Sequence, residues 1–303
     1  MNLKTKKESG AMRTIVYHIV AIVTAMIWGI TFVNTRKLMD GGLKPEDIFV
    51  LRFFIAYICI WFISPQKLFA DSWKDEFLMF LLGVFGGSLY FCTENWAIKY
   101  SFVNNVSFIV SIAPLITVMI ALMIYKNVKA SWLLTIGSAM AVLGVGFVIY
   151  NGQFNLKLNP LGDLLALAAA VSWAFYSLLM KNVSGRYSSV FLTRKVFFYG
   201  VLSILPIYIV NPWTFPLSGF LDVNIWGNLF FLGCIASFVC FVSWTWVIVK
   251  LGALKSSNYI YLSPVTTVLA SALFLDEPMT LMAFVGCALI LLGVFVANKA
   301  KGI

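Results

Sequence analysis

The chain has 303 residues, 61% hydrophobic and 11% charged, with a mean hydropathy of +0.92. A water-soluble chain carries about 25% charged residues, so this composition excludes an ordinary soluble domain and assigns the apolar excess to lipid. A net charge of +10 would suit nucleic acid, but the basic residues fall in a pattern that sets membrane orientation instead, and no nucleic-acid partner is expected.

The first dozen residues are polar and basic and are expected to be disordered. Thr14 to Thr35 is the first charge-free run, long enough to cross a bilayer, which takes about 20 residues. It is too long for a cleavable signal peptide and no small-residue cleavage pattern follows it. Segments 46–64 and 75–98 read as spans interrupted or shortened by charge. Tyr100 to Tyr125 and Ala130 to Leu156 are uninterrupted, 161–182 and 189–210 carry charges, and Val223 to Val249, Ser256 to Leu275 and Pro278 to Asn298 are again free of them. Continuous apolar runs predict helices rather than barrel strands, which would alternate.

The connections are short and leave no room for a soluble domain. The longest external candidates are 151–160 and 211–222, the second holding Trp213 and Phe215 at the expected headgroup level. If the N-terminus is cytoplasmic, fourteen Lys and Arg fall on that side. Only Arg36, Lys37, Lys44, Lys99 and Lys157 fall on the other. This bias predicts that both termini are cytoplasmic, in an inner or plasma membrane.

The ten stretches are two copies of five. Trp96, Ile98, Ser107, Pro114, Thr117 and Val118 recur 150 positions later as Trp246, Ile248, Ser257, Pro264, Thr267 and Val268. Gly137, Ala139, Leu143, Gly144 and Val145 recur 149 positions later, and Ala21, Ala25 and Trp28 recur 145 positions later as Ala166, Ala170 and Trp173. An odd number of spans per copy makes the second copy enter from the opposite side. The predicted fold is therefore an all-α membrane protein of ten transmembrane helices, arranged as inverted five-helix repeats over 15–151 and 160–298, a layout that marks alternating-access carriers.

The opening Ala25-Met26-Ile27-Trp28-Gly29-Ile30-Thr31-Phe32, followed by Pro45 and Arg52, resembles the EamA family of the drug/metabolite transporter superfamily. Gly162-Asp163-Leu164-Leu165-Ala166 is similar to the start of that family's second repeat, and Phe274-Leu275-Asp276-Glu277-Pro278 to its loop before the last helix. The first copy has Ile124-Tyr125-Lys126-Asn127 there, without the usual Glu. The resemblance implies a ten-helix carrier with a cavity between its halves, often an exporter of amino acids or other small metabolites. It also places helices five and ten at the edge, as candidates for a homodimer contact.

Glu94 is the sharpest candidate, an acidic residue well inside a span. A retained carboxylate at depth faces a cavity, pairs with a base or relays protons; the bland alternative is an interface carboxylate paired with Lys99 or simply solvated. Arg52, Arg194 and Lys195 are the bases inside spans, either snorkelling to headgroups or holding a substrate anion or a gate. Trp28, Asn34, Tyr90, Asn95, Trp173, Tyr176 and Tyr261 are aromatic and amide residues suited to lining a cavity for a partly apolar solute. Pro114 and Pro264 are matched helix breaks, read either as static kinks or as pointers to a substrate site. Gly83, Gly86, Gly87, Gly144 and Gly146 are expected at close helix contacts.

Five cysteines and His18 show no metal spacing, and no hydrolase, metalloprotease or nucleotide motif is present. No enzyme activity, metal or cofactor is expected. The partners are a small-molecule substrate, protons as a candidate coupling ion, and the bilayer. The rivals are a phosphorylated-solute or nucleotide-sugar exchanger, whose site would need several cavity bases, and a non-transporting membrane scaffold.

Overall fold

The computed structural model describes residues 3–64, 67–125, 131–150, 159–274 and 281–299. The paired loop sequences at 126–127 and 275–278 and Lys157, expected to be external, lie outside them.

The first rod, α1, runs Leu3–Asp40. The helix thus starts well before the first apolar run, and the disorder expected there is not what the backbone adopts. Ten residues of mostly helix-forming Lys, Glu, Ala and Met continue it with no proline to stop it. It ends where Gly42 takes φ +100° and Leu43 N–H donates to the Leu38 carbonyl, a left-handed C-terminal cap.

α2 is Pro45–Ile63, opened by Pro45 in the first turn with Glu46 and Asp47 behind it, both favoured near the positive end of the helix dipole. α3 is Trp73–Tyr100, N-capped by Ser72 and containing a π turn at Val84–Ser88. α4 (Val103–Ile124) stops at Val110 and restarts at Ala113. α5 is Trp132–Tyr150 and α6 is Pro160–Val183, the latter capped by Asn159. α7 (Ser189–Val210) is capped by Ser188, and α8 (Val223–Leu251) carries a second π segment at Phe231–Val239. α9, over 253–274, passes through a 3-10 turn at Asn258–Leu262 and restarts at Ser263; α10 is Leu281–Asn298.

Among the described residues, six of these rods, α1, α3, α4, α6, α7 and α8, are long and apolar enough to cross a membrane. α2 has the length but holds Glu46, Asp47 and Arg52. α5 and α10 are shorter apolar helices, Trp132–Phe147 and Phe284–Asn298 by that measure. Among the described residues there is no strand beyond an isolated bridge between Ser184 and Tyr187.

Polarity is arranged inside out. Arg52, Glu94, Asn95, Lys195 and Glu76 are buried, whereas Phe62, Met123, Leu273 and Ile209 are exposed. In water that surface would be unstable; in lipid it is the solvated one. The chain is an integral membrane protein.

The core is aromatic where α1, α2, α3, α6, α7 and α8 converge. Trp28, Phe53, Phe91, Trp173, Phe197, Phe241 and Trp244 touch one another there, with Phe53 and Phe197 4.9 Å apart and Trp28 and Trp244 5.0 Å apart. Apart from this core, α5 and α10 pair intimately. A Cβ on Gly144 would stand 2.6 Å from the Gly286 carbonyl oxygen, and one on Gly137 2.6 Å from that of Gly293. The lower-numbered glycine of each helix faces the higher-numbered one of the other, so the two helices run antiparallel. Only glycine allows that approach. Gly83, Gly86 and Gly87 also sit at tight contacts, against Tyr199, Tyr176 and Gly200. Gly146 does not: nothing lies within 4 Å of its would-be Cβ, because the helix turns that face away from α10. Phe215 is buried in one cluster with Leu38, Leu43 and Ile48.

Candidate functional site

The centre of the molecule holds a cavity of about 30 Å³ walled by residues from α1, α2, α3, α4, α6, α8 and α9. It brings together Trp28, Arg52, Tyr90, Glu94 and Trp173, five positions singled out by the sequence. Such a volume holds a water molecule or two, while an organic solute needs a few hundred Å³. The walls must move apart before a solute of that size enters.

Each polar wall residue has an identifiable support. Glu94 is 4% exposed and accepts from the Tyr90 hydroxyl at 2.6 Å, one turn earlier on α3. Lys99 is not its partner; that ammonium lies over the Trp96 ring, 4.3 Å from its centroid. Arg52 is 1% exposed, donates through Nε to Ser237 Oγ at 2.9 Å and lies over the Phe91 ring at 4.3 Å. Its Nη1 is buried with no hydrogen-bond partner among the described residues. A buried, unsatisfied guanidinium nitrogen is costly, and at a cavity wall it is a waiting donor. Trp173 Nε1 is a second such donor, whereas Trp28 Nε1 donates to the Ala236 carbonyl at 2.9 Å.

The two broken helices meet at the same cavity. α4 contributes Ser107, Val110 and Ser111, and α9 contributes Ile260 and Ser263. Pro114 and Pro264 each occupy the second position of the restarting helix. They therefore do not bend continuous helices; they open new ones, where a missing N–H is harmless. Close packing holds the breaks in place. A Cβ on Gly29 would stand 2.3 Å from the Ser263 carbonyl oxygen, and Thr267 Oγ1 donates to the Gly29 carbonyl at 2.9 Å. Ser107 and Thr267 share a hydrogen bond of 3.1 Å.

Other expected positions lie elsewhere. Asn34 donates to Asn228 Oδ1 at 2.6 Å, and Asn95 donates to the Pro45 carbonyl at 2.9 Å, tying α3 to the start of α2. Tyr176 packs on Trp173 at 5.0 Å behind the cavity wall, and Tyr261 is fully buried beside the α9 break. Lys195 forms an ion pair with Glu76, which also accepts from Tyr199. Arg194 donates to the Ser64 carbonyl and lies over the Trp61 ring at 5.3 Å. Both lie at the α2–α3 connection, apart from the cavity, and Arg194 Nη2 is there buried with no hydrogen-bond partner among the described residues. Near them Arg186 pairs with Asp75 at 2.7 Å, and the exposed Lys67 holds the Asp71 carboxyl below its usual range by a hydrogen bond.

Thr31, Phe91, Ser111, Phe241 and Ser263 also line the cavity, although nothing in their residue types singled them out as candidates. One signal was available: Phe91 and Phe241 are themselves 150 positions apart. Among the described residues no cluster of His, Cys, Asp and Glu could hold a metal ion.

An all-helical bundle with polar groups around a small central cavity, and apolar residues outside, is the architecture of a solute transporter. The model of the EamA-like transporter family matches it twice, over residues 15–150 and 160–299, and the chain belongs to that family. It is 29% identical over 285 residues to a protein of Archaeoglobus fulgidus described as an uncharacterized transporter, covering 93% of this chain and 99% of that one. It is 24% identical to a probable terminal-alkyne amino-acid exporter of Streptantibioticus cattleyicolor, over 92% of both chains. It is 23% identical to a probable amino-acid metabolite efflux pump of Escherichia coli, over 92% of this chain and 93% of the other. A crystal structure superposes with a TM-score of 0.73 at 19% identity, covering 93% of this chain and 96% of its own, a likeness of fold. The chain is a transporter, not an enzyme.

Proposed function

We propose that this protein is a secondary-active exporter of small amino-acid-like metabolites. It works by alternating access between two inverted halves, 15–151 and 160–298, with ten spans, lying in an inner membrane with both termini cytoplasmic. The observation that carries the reading is a single cavity lined by both a guanidinium with a free N–H, on Arg52, and a carboxyl group, on Glu94. That pairing suits a zwitterion: the guanidinium takes a carboxylate, the carboxylate an ammonium. The aromatic walls suit a partly apolar side chain. The amino-acid exporter and efflux pump named above agree with this class.

The antiparallel pairing of α5 with α10 supports inversion of the repeat. The smallness of the cavity supports a contracted conformation whose walls part to admit solute from one face or the other. A phosphorylated solute fits less well, because Arg194 and Lys195 lie away from the cavity, beside Ser64 and Glu76, leaving one guanidinium in it.

The test is counterflow in proteoliposomes loaded with a mixture of amino acids and related metabolites. Exchange of zwitterionic solutes, lost in Arg52→Ala, is the expected result. Exchange of phosphorylated solutes alone, or no flux under any gradient, refutes it.

A further inference from the structure

The two π segments occupy the same register of the repeat. Val84–Ser88 in α3, advanced by the 150-residue offset, falls at 234–238, inside Phe231–Val239 in α8. A π turn breaks the regular i to i−4 hydrogen-bond ladder, and such turns gather at functional sites.

In α8 the π turn is put to use. The Ala236 carbonyl accepts from Trp28 Nε1 at 2.9 Å, and the adjacent Ser237 hydroxyl holds Arg52. The repeat counterpart of Trp28 is Trp173, and that of Ala236 is Gly86. Both counterparts stand at the same interface, since the Tyr176 ring, one turn past Trp173 on α6, fills the space beside the Gly86 Cα. Yet Trp173 Nε1 is buried with no partner among the described residues, and the neighbouring Phe85 carbonyl accepts from Ser172 Oγ at 2.7 Å instead. One tryptophan tether is made and its symmetry mate is open. The two rings remain in contact, edge to face, with centroids 5.2 Å apart.

In a pair of inverted halves, exchanging the conformations of the halves converts one access state into its opposite. A bond present in only one half is therefore the bond that changes hands. We propose that Trp28 and Trp173 are positioning residues whose indole N–H groups alternate on the two π turns. Trp28 holds Ala236 in the conformation described here, and Trp173 holds Gly86 in the conformation of opposite sidedness. The exchange moves Ser237 together with its turn, and with it the guanidinium of Arg52, so it couples access to the substrate-facing donor. The inference rests on the alternating-access reading above.

The test uses Ser263→Cys as a reporter on the cavity wall, labelled with a membrane-impermeant maleimide from either side of oriented vesicles without substrate. Trp28→Phe and Trp173→Phe keep the ring contact and remove one N–H each. One neutral hydrogen bond corresponds to about a fivefold shift in a two-state equilibrium. The expected result is that the ratio of labelling from the two sides shifts about fivefold in opposite directions in the two variants. The double variant, lacking both tethers, returns to near the unaltered ratio, which also controls for misfolding. Shifts in the same direction, or no shift in variants that still transport, overturn the exchange. So does a Trp173→Phe effect confined to substrate affinity, since that marks a plain substrate contact. If the unaltered protein with the reporter is labelled from one side only, with or without substrate, alternating access itself fails and the inference falls with it.

Discussion

Trp28 and Trp173, equivalent residues 145 positions apart, meet edge to face with their ring planes at 87°. Equivalent residues of two repeats touch each other only near the axis that relates the repeats. Under the inverted-repeat arrangement proposed above, the contact sets the cavity on that axis, and the unmatched groups there, Arg52 and Glu94, are the ones that give the site its polarity.

Glu94→Gln preserves size and the oxygen that accepts from Tyr90, and removes the titratable group. If protons drive export through Glu94, flux in proteoliposomes loses its response to an imposed proton gradient, a coupling worth about 5- to 150-fold. Solute-gradient-driven exchange persists. An unchanged dependence of flux on pH removes Glu94 from the coupling role.

Arg52→Lys keeps the positive charge but abandons both the Nε bond to Ser237 and the stack on Phe91. The guanidinium N–H then no longer meets the substrate carboxylate, and a hydrogen bond to a charged group contributes about 1.5–3 kcal/mol, so half-saturation for substrate should rise by roughly 10- to 100-fold in counterflow assays. Ser237→Ala, which leaves the guanidinium in place, should cost much less.

Gly144→Leu forces a side chain into a space where the Gly286 carbonyl oxygen already stands 2.6 Å from the Cβ position. Overpacking of this kind costs about 1–3 kcal/mol or more. Thermal unfolding in detergent should show a clear drop. Gly146→Ala, with nothing within 4 Å, should leave the midpoint unchanged or slightly raised.

Lys195→Met strands the Glu76 carboxylate, whose oxygens are otherwise met by Lys195, Tyr199 and the Ala70 N–H. Removing one partner of a buried ion pair costs about 3–5 kcal/mol, whereas replacing both with apolar residues is often neutral. Lys195→Met should thus unfold at a markedly lower temperature than Glu76→Leu/Lys195→Met. Equal midpoints with a changed sidedness of labelling would instead place the pair in a gate.

Ser111→Cys and Ser263→Cys should both react with a small thiol reagent, at rates that substrate slows, because each lies at a helix break on the cavity wall. Rates indifferent to substrate would make the breaks static packing features.

The sequence by itself determined the membrane as solvent, helices as the means of crossing it, and the twofold repeat. Hydropathy, length and self-similarity are properties of the chain read along its own line, and backbone groups in lipid have no alternative to helix or barrel. It also pointed to Glu94, Arg52, Trp28 and Trp173, since charge at depth and repeated tryptophan are rare enough to notice.

Only the tertiary structure decided which of these meet. Arg194 and Lys195 look like Arg52 in a one-dimensional reading, yet packing sends them to Ser64 and Glu76. Asn95 sits beside Glu94 in the chain but points to the Pro45 carbonyl, because neighbouring residues on a helix face different directions. The π turns had no signature in composition or periodicity: a single turn wound more loosely changes no residue, only which carbonyl is free. That is why the hydrogen bond from Trp28 to Ala236, and its absence at Trp173, belongs to the folded molecule alone.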